Sequence, residues 1–133
     1  MNWFCIYSAI AGEFRALRKL EQRGLQCYLP LLTSQRRIGG RVVSRRAPLL
    51  ARYLFVLTDL DRLSAIRELT EIQEILPHEM MPQPIAAIEI SSLQEREQAG
   101  EFVFRNTTAD RRRRRQILRS FQELGGLYAE IQV

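Results

Sequence analysis

The chain has 133 residues, with 20 Lys and Arg against 15 Asp and Glu, one His and two Cys. That length supports one domain and a short appendage but not two globular domains. A composition 46% hydrophobic and 26% charged excludes wholesale disorder, and the apolar run at residues 3–7 is far short of the ~20 residues of a membrane span. With no basic leader ahead of that run, and with Cys5 and Cys27 in separate segments lacking C-x-x-C spacing, the expectation is a cytoplasmic protein with two reduced thiols and no membrane association.

The net charge of +5 is unevenly spread. Residues 1–56 carry ten basic and two acidic side chains, residues 57–101 three and ten, and residues 102–133 seven and three. Segregation of this kind concerns partners rather than fold, and the basic blocks suit phosphates. Nineteen of the 20 cations are Arg, the side chain that grips phosphate with two donors at once.

In chain order, residues 2–8 alternate and are rich in aromatic and β-branched side chains, which predicts a strand. Gly12 breaks it, and residues 13–23 read as a helix with Phe14, Leu17 and Leu20 along one stripe. Arg15, Lys19 and Arg23 recur every four residues and make a second, basic stripe beside Arg18. After Gly24 comes a short strand at residues 25–29, closed by Pro30. Residues 31–38 and 41–46 flank Gly39-Gly40, a pair suited to the positive φ of a tight hairpin turn. Five arginines (Arg36, Arg37, Arg41, Arg45 and Arg46) crowd this hairpin. Residues 52–58 are the most strand-like run. Residues 59–69 read as a helix capped by Asp59, with Leu63, Ile66 and Leu69 inward. A short strand at 72–76 precedes a Pro-marked connection, and residues 88–98 read as a third helix. The expected fold class is α+β, a sheet with helices packed on it. Residues 110–124 read as a further helix carrying Arg111 to Arg115 and then Ile117, Leu118, Phe121 and Leu124, with a strand pattern at 127–133. A tail of this size cannot bury its own core, so it docks, pairs with another chain or flexes.

No catalytic constellation is visible. His78, the only histidine, sits beside Glu79 in the Pro-rich connection with no second ligand at metal spacing. Glu68, Glu71 and Glu74 read as a solvated acidic face rather than a tuned carboxylate pair, and Gly39-Gly40 lacks a phosphate-loop frame. No catalytic residue, metal or cofactor is expected, and the protein is read as a non-enzyme. Binding surfaces are better represented. The basic helix stripe and the hairpin arginines are suited to a nucleic-acid backbone. Strand alternation puts Tyr53 and Phe55 on one face and Leu54 and Val56 on the other. The aromatic pair, with Tyr7 from the first strand, is either an exposed protein-binding patch or a face buried beneath a helix.

These residues resemble a known family. Trp3-Phe4 and Tyr7, then Gly12-Glu13, Tyr28-Leu29-Pro30, the basic hairpin and the segment Pro48 to Val56 are similar, in order and spacing, to the N-terminal domain of NusG-type transcription elongation factors, including their paralogue RfaH. Against the family's P-L-F-P-G-Y-L-F-V, Pro48, Leu49, Tyr53, Leu54, Phe55 and Val56 match, while Leu50, Ala51 and Arg52 depart. Residues 72–76 and Pro84-Ile85 resemble the later G-V-x-x-F and P-x-P-I segments, with Glu71 in place of the Gly. The resemblance implies a four-stranded antiparallel sheet flanked by helices, a domain over residues 1–99, and a basic tail over 100–133 that is a degenerate remnant of a KOW barrel. It also implies binding to the β′ clamp helices of bacterial RNA polymerase through Tyr7, Tyr53, Phe55 and Ile75, with Arg52 adding a charge beside them. Suppressed pausing or termination, contact with upstream or non-template DNA through basic residues such as Arg15, Lys19 and Arg23, and lost or altered coupling to ribosome or Rho follow in the same way. The tail helix either covers the Tyr53/Phe55 patch, as the helical C-terminal domain does in RfaH, or is a frayed remnant. The alternative reading is a stand-alone basic α+β module that binds nucleic acid without polymerase.

Overall fold

The computed structural model describes residues 1–76 and 81–123. Their elements run β1 (Asn2–Ser8), α1 (Glu13–Gln22), β2 (Gln26–Tyr28), β3 (Leu31–Ile38), β4 (Arg41–Pro48) and β5 (Tyr53–Thr58), then a 3-10 turn (Leu60–Arg62), α2 (Leu63–Arg67), β6 (Ile72–Ile75), α3 (Ala87–Gln98), β7 (Val103–Arg105) and α4 (Thr108–Glu123). His78, Glu79, Leu124 and the strand expected at 127–133 lie outside the described residues.

The expected four-stranded antiparallel sheet is present, in the order β2-β5-β1-β6. Its two central strands are apolar on both faces because both faces are covered, and strict alternation then sorts their side chains. Phe4, Ile6, Leu54 and Val56 join Ala16 and Leu20 of α1 and Leu63 and Ile66 of α2 in one core. Trp3, Cys5, Tyr53 and Phe55 join Ile90 and Leu93 of α3 in the other. The β1–β5 register pairs Tyr7 with Tyr53 and Cys5 with Phe55, so the aromatic side chains of the two strands sit side by side.

Two local expectations change. Phe14 does not share the buried stripe of α1: Ala16 and Leu20, one turn apart, face the sheet, which rotates Phe14 onto the flank at 42% exposure. Residues 59–69 do not form one helix capped by Asp59. Asp59 makes no cap hydrogen bond; its carboxylate instead lies 3.4 Å from the N-terminal ammonium, and a 3-10 turn precedes a five-residue α2. Leu63, Ile66 and Leu69 are nevertheless buried as expected.

A second sheet, ordered β4-β3-β7, projects from the first. Gly39 and Gly40 have φ of 57° and 79°, the twin positive values of a two-residue hairpin turn. β7 adds to the other edge of β3 in parallel, aligning Thr33, Ser34 and Gln35 with Val103, Phe104 and Arg105. Through this pairing the tail docks on the body. Phe102, Phe104 and Phe121 are buried in the same core as Tyr53 and Phe55, with Ile117 and Leu118 packed against it. The helical spacing of Ile117, Leu118 and Phe121 thus has its physical cause in a docked face.

Candidate functional site

The aromatic face begins at the paired strands. The rings of Tyr7 and Tyr53 lie 5.1 Å apart at a 45° tilt, and Tyr28 stacks on Phe55 at 6.3 Å; both are favourable aromatic geometries. Tyr7 is half-buried, whereas Tyr53 is 3% and Phe55 0% exposed. Of the two fates open in the sequence, the described structure has the buried one. Ile75 is not brought to this face: it lies in the opposite core beneath α1 and α2, and its neighbour Leu76 joins the aromatic side instead. The cause is the pleat of β6, which pairs Ile75 with Ile6 and gives both the same face.

Arg52 occupies the position where the family motif has Gly, and it keeps a glycine-like backbone with φ of 75°. Left-handed geometry is unfavourable for a residue with a Cβ, so contacts must hold it. Its guanidinium sits 4.0 Å from the Tyr7 ring centroid. Its Nε donates to the Ser8 carbonyl at 3.0 Å, and its Nη2 donates to Gln73. In return the Ser8 amide donates to the Arg52 carbonyl at 2.7 Å. The arginine therefore clips the start of β5 to the end of β1 and lays a cation on the rim of the aromatic face.

Polar contacts fasten the elements that cover this face. The Tyr28 hydroxyl and the Leu31 amide both donate to Glu97 Oε1 of α3, each at 2.9 Å. Arg96 lies 5.4 Å from the Phe102 ring centroid and 5.5 Å from that of Phe121, and its Nε pairs with Glu101 at 2.5 Å. Arg113 turns inward from the five-arginine run. It sits 4.5 Å from the Phe104 centroid and donates to the carbonyls of Glu101 at 2.7 Å and Val103 at 2.6 Å. At the start of α4 the Thr107 hydroxyl accepts from the Asp110 amide at 3.1 Å, and the Asp110 carboxylate accepts from the Arg105 amide at 2.6 Å. That amide, more than the Arg113 charge, holds the Asp110 carboxyl below its usual range.

Sequence reasoning passed over Tyr28, Arg96, Glu97 and Arg113 as parts of this site. Tyr28 stood in a recognised motif without an assigned role. The other three carry no signal of their own, because a charged residue on a helix is legible as solvated until the tertiary partner is known.

The basic candidates form two surfaces. Arg15 and Lys19 on α1 and Arg23 at its C-terminal cap are exposed, and α1 packs on the sheet face opposite Tyr53 and Phe55. Arg36, Arg37, Arg41, Arg45 and Arg46 are all exposed on the hairpin, where the register divides them. Arg36, Arg41 and Arg45 share the face of Leu32 and Phe104, and Arg37 and Arg46 point to the other side.

Among the described residues no helix is long and apolar enough to cross a membrane, and no three His, Cys, Asp or Glu side chains are grouped to hold a metal ion. No curated protein matches this chain. The family model described as transcription termination factor NusG matches residues 1–94, more than two thirds of the chain, over the same strands and helices that build the sheet and its aromatic face. The chain therefore belongs to the NusG family, a non-enzymatic family of transcription elongation and termination factors whose domain interacts with RNA polymerase.

Proposed function

We propose that this chain is a non-catalytic elongation and antitermination factor. It grips the β′ clamp helices of bacterial RNA polymerase with the Tyr7, Tyr53 and Phe55 face and suppresses pausing or termination. The observation that carries this reading is the clustering of those three aromatic side chains on one sheet face, with Arg52 over Tyr7 at its rim. A large rigid aromatic surface is the chemistry of an interface hot spot. The α1 stripe of Arg15, Lys19 and Arg23, on the opposite side of the sheet, leaves phosphate contacts to upstream or non-template DNA available while the aromatic face is occupied. The hairpin arginines add a second phosphate-binding surface. Ile75, on the wrong face, has no place in the polymerase contact.

Because Ile117, Leu118 and Phe121 pack into the same core as Tyr53 and Phe55, polymerase binding in this reading requires α4 to leave. The docked state then taxes affinity by the fraction of molecules that are open. Preferential binding of one polymerase state does the work without chemistry.

The test is a pull-down titration of purified bacterial RNA polymerase against the full chain, Phe121→Ala, and Phe121→Ala combined with Tyr7→Ala. Truncating a buried Phe removes about 3–5 kcal/mol of packing, enough to open a helix held by a few contacts. Phe121→Ala is expected to bind at least tenfold more tightly than the native chain, and the added Tyr7→Ala to reverse that gain. Absence of binding by all three chains, with circular dichroism showing an intact sheet, would refute the polymerase reading. Equal binding by all three would refute the covered face.

A further inference from the structure

The five-arginine run of α4 is not uniform in the folded chain. Arg113 is spent on Phe104 and two backbone carbonyls. Arg111 and Arg114, three residues apart and so on one helix face, instead line a groove of about 280 Å³ together with Arg36 of the hairpin. This groove shares Gln35, Arg36, Arg105 and Asn106 with an adjoining one of about 570 Å³ that also holds Arg37, Val42 and Thr107. The two meet where β7 stops pairing with β3 at Gln35 and Arg105. Beyond that point the hairpin continues alone, and the two grooves adjoin across the end of the short strand.

Taken as one channel round the end of β7, the two adjoining grooves are lined by five arginines from three elements. Among the described residues none of their side chains forms an ion pair. The one carboxylate in the channel, Asp110, is already taken by the Arg105 amide and lies 3.5 Å from Arg113. Fixed positive charge in excess of the one carboxylate, held in a cleft, selects an extended polyanion. Between the arginines stand Gln35, Asn106 and Thr107, donors and acceptors suited to the edges of unpaired bases, and guanidinium planes on which bases stack. A duplex keeps its Watson–Crick edges paired and its base faces stacked, so that neither is open to these side chains.

We propose that this channel binds a single strand of nucleic acid, the arginines tracking its phosphates and the polar side chains meeting its bases. The docked tail completes the site: without β7 and α4 the hairpin would be a bare basic ribbon. This deepens, and rests on, the reading of the hairpin as a phosphate-binding surface, and it needs no polymerase.

The experiment is fluorescence anisotropy of the full chain with labelled oligothymidine and, separately, labelled oligouridine, over about 50–200 mM salt. The variants are Arg111→Gln/Arg114→Gln, Arg36→Gln/Arg37→Gln, and the charge-matched control Arg112→Gln/Arg115→Gln, whose positions do not line the channel. Each single-strand phosphate contact contributes roughly 0.7 to the slope of log affinity against log salt. Each channel pair is therefore expected to lower that slope by about 1.4 and to weaken binding about tenfold, with the control near native. Tighter binding of one oligomer assigns the strand as DNA or RNA; equal binding assigns it to the shared backbone. If the α4 pair and its control lose equally while the hairpin pair still matters, the channel is wrong and the hairpin reading stands. No binding by the native chain, or displacement by duplex DNA as effective as by single strand, overturns the proposal.

Discussion

Arg52 offers the sharpest test of how this sheet is held. Its φ of 75° costs a residue with a Cβ about 1–2 kcal/mol relative to glycine. Against that stand the hydrogen bond to the Ser8 carbonyl, of the charged kind worth about 1.5–3 kcal/mol, and the cation over Tyr7, worth about 0.5–1 kcal/mol at a partly exposed site. Arg52→Ala keeps the strain and loses the contacts, so its expected cost is about 2–4 kcal/mol. Arg52→Gly loses the same contacts but releases the strain, so it should recover about 1 kcal/mol of that. The expected order of stability is Arg, then Gly, then Ala. Urea denaturation followed by far-ultraviolet circular dichroism reads it as a shift of midpoint at constant slope. If Ala matched or exceeded Gly, the left-handed backbone would not be costing anything. If both matched Arg, the clip between β1 and β5 would contribute nothing.

Further outcomes follow from the same geometry. Arg113→Ala should loosen α4 by about 2 kcal/mol, through its two carbonyl contacts, seen as faster amide exchange confined to residues 103–121; Arg113→Lys should restore only part of it. Glu97→Gln keeps an oxygen for the Tyr28 hydroxyl and Leu31 amide and should melt within a few degrees of native, whereas Glu97→Leu strands the Leu31 donor and should melt clearly lower. Burial, with the Glu21 charge adding to it, pushes the Cys27 thiol from 9.0 up to about 12. The folded chain therefore keeps a proton that the unfolded chain releases above pH 9.0, so this contribution is fully present below that value and is lost progressively up to about pH 12. Cys27→Ser should flatten that alkaline decline in denaturant titrations, and Cys27 should alkylate slowly in the native protein at neutral pH.

Much of this was legible because local rules act on short stretches. The alternation of residues 53–56 assigned each side chain to a sheet face, and Gly39-Gly40 declared the hairpin, since few other pairs tolerate two positive φ values. The helical spacing of Ile117, Leu118 and Phe121 announced a buried face without naming what it meets. Phe14 was misplaced because a stripe of three apolar positions leaves the helix free to roll by one residue. Only the fit of Ala16 and Leu20 against the sheet fixes that rotation. Asp59 was misplaced because a capping residue has a competing use when a chain terminus folds back to it.

Composition, periodicity and motif order were sufficient for the α+β class, the family and the basic character of α1 and the hairpin, because each depends on neighbours within a few residues, on the order of short motifs or on summed charge. Whether Tyr53 and Phe55 face solvent or core, on which side Ile75 falls, and which arginines of residues 111–115 point inward all depend on contacts between segments tens of residues apart. No local pattern encodes such contacts. The pairing of β6 with β1 decided the side of Ile75, and the parallel docking of β7 on β3 decided the rest, by carrying α4 to the aromatic core and setting Arg111 and Arg114 opposite the hairpin.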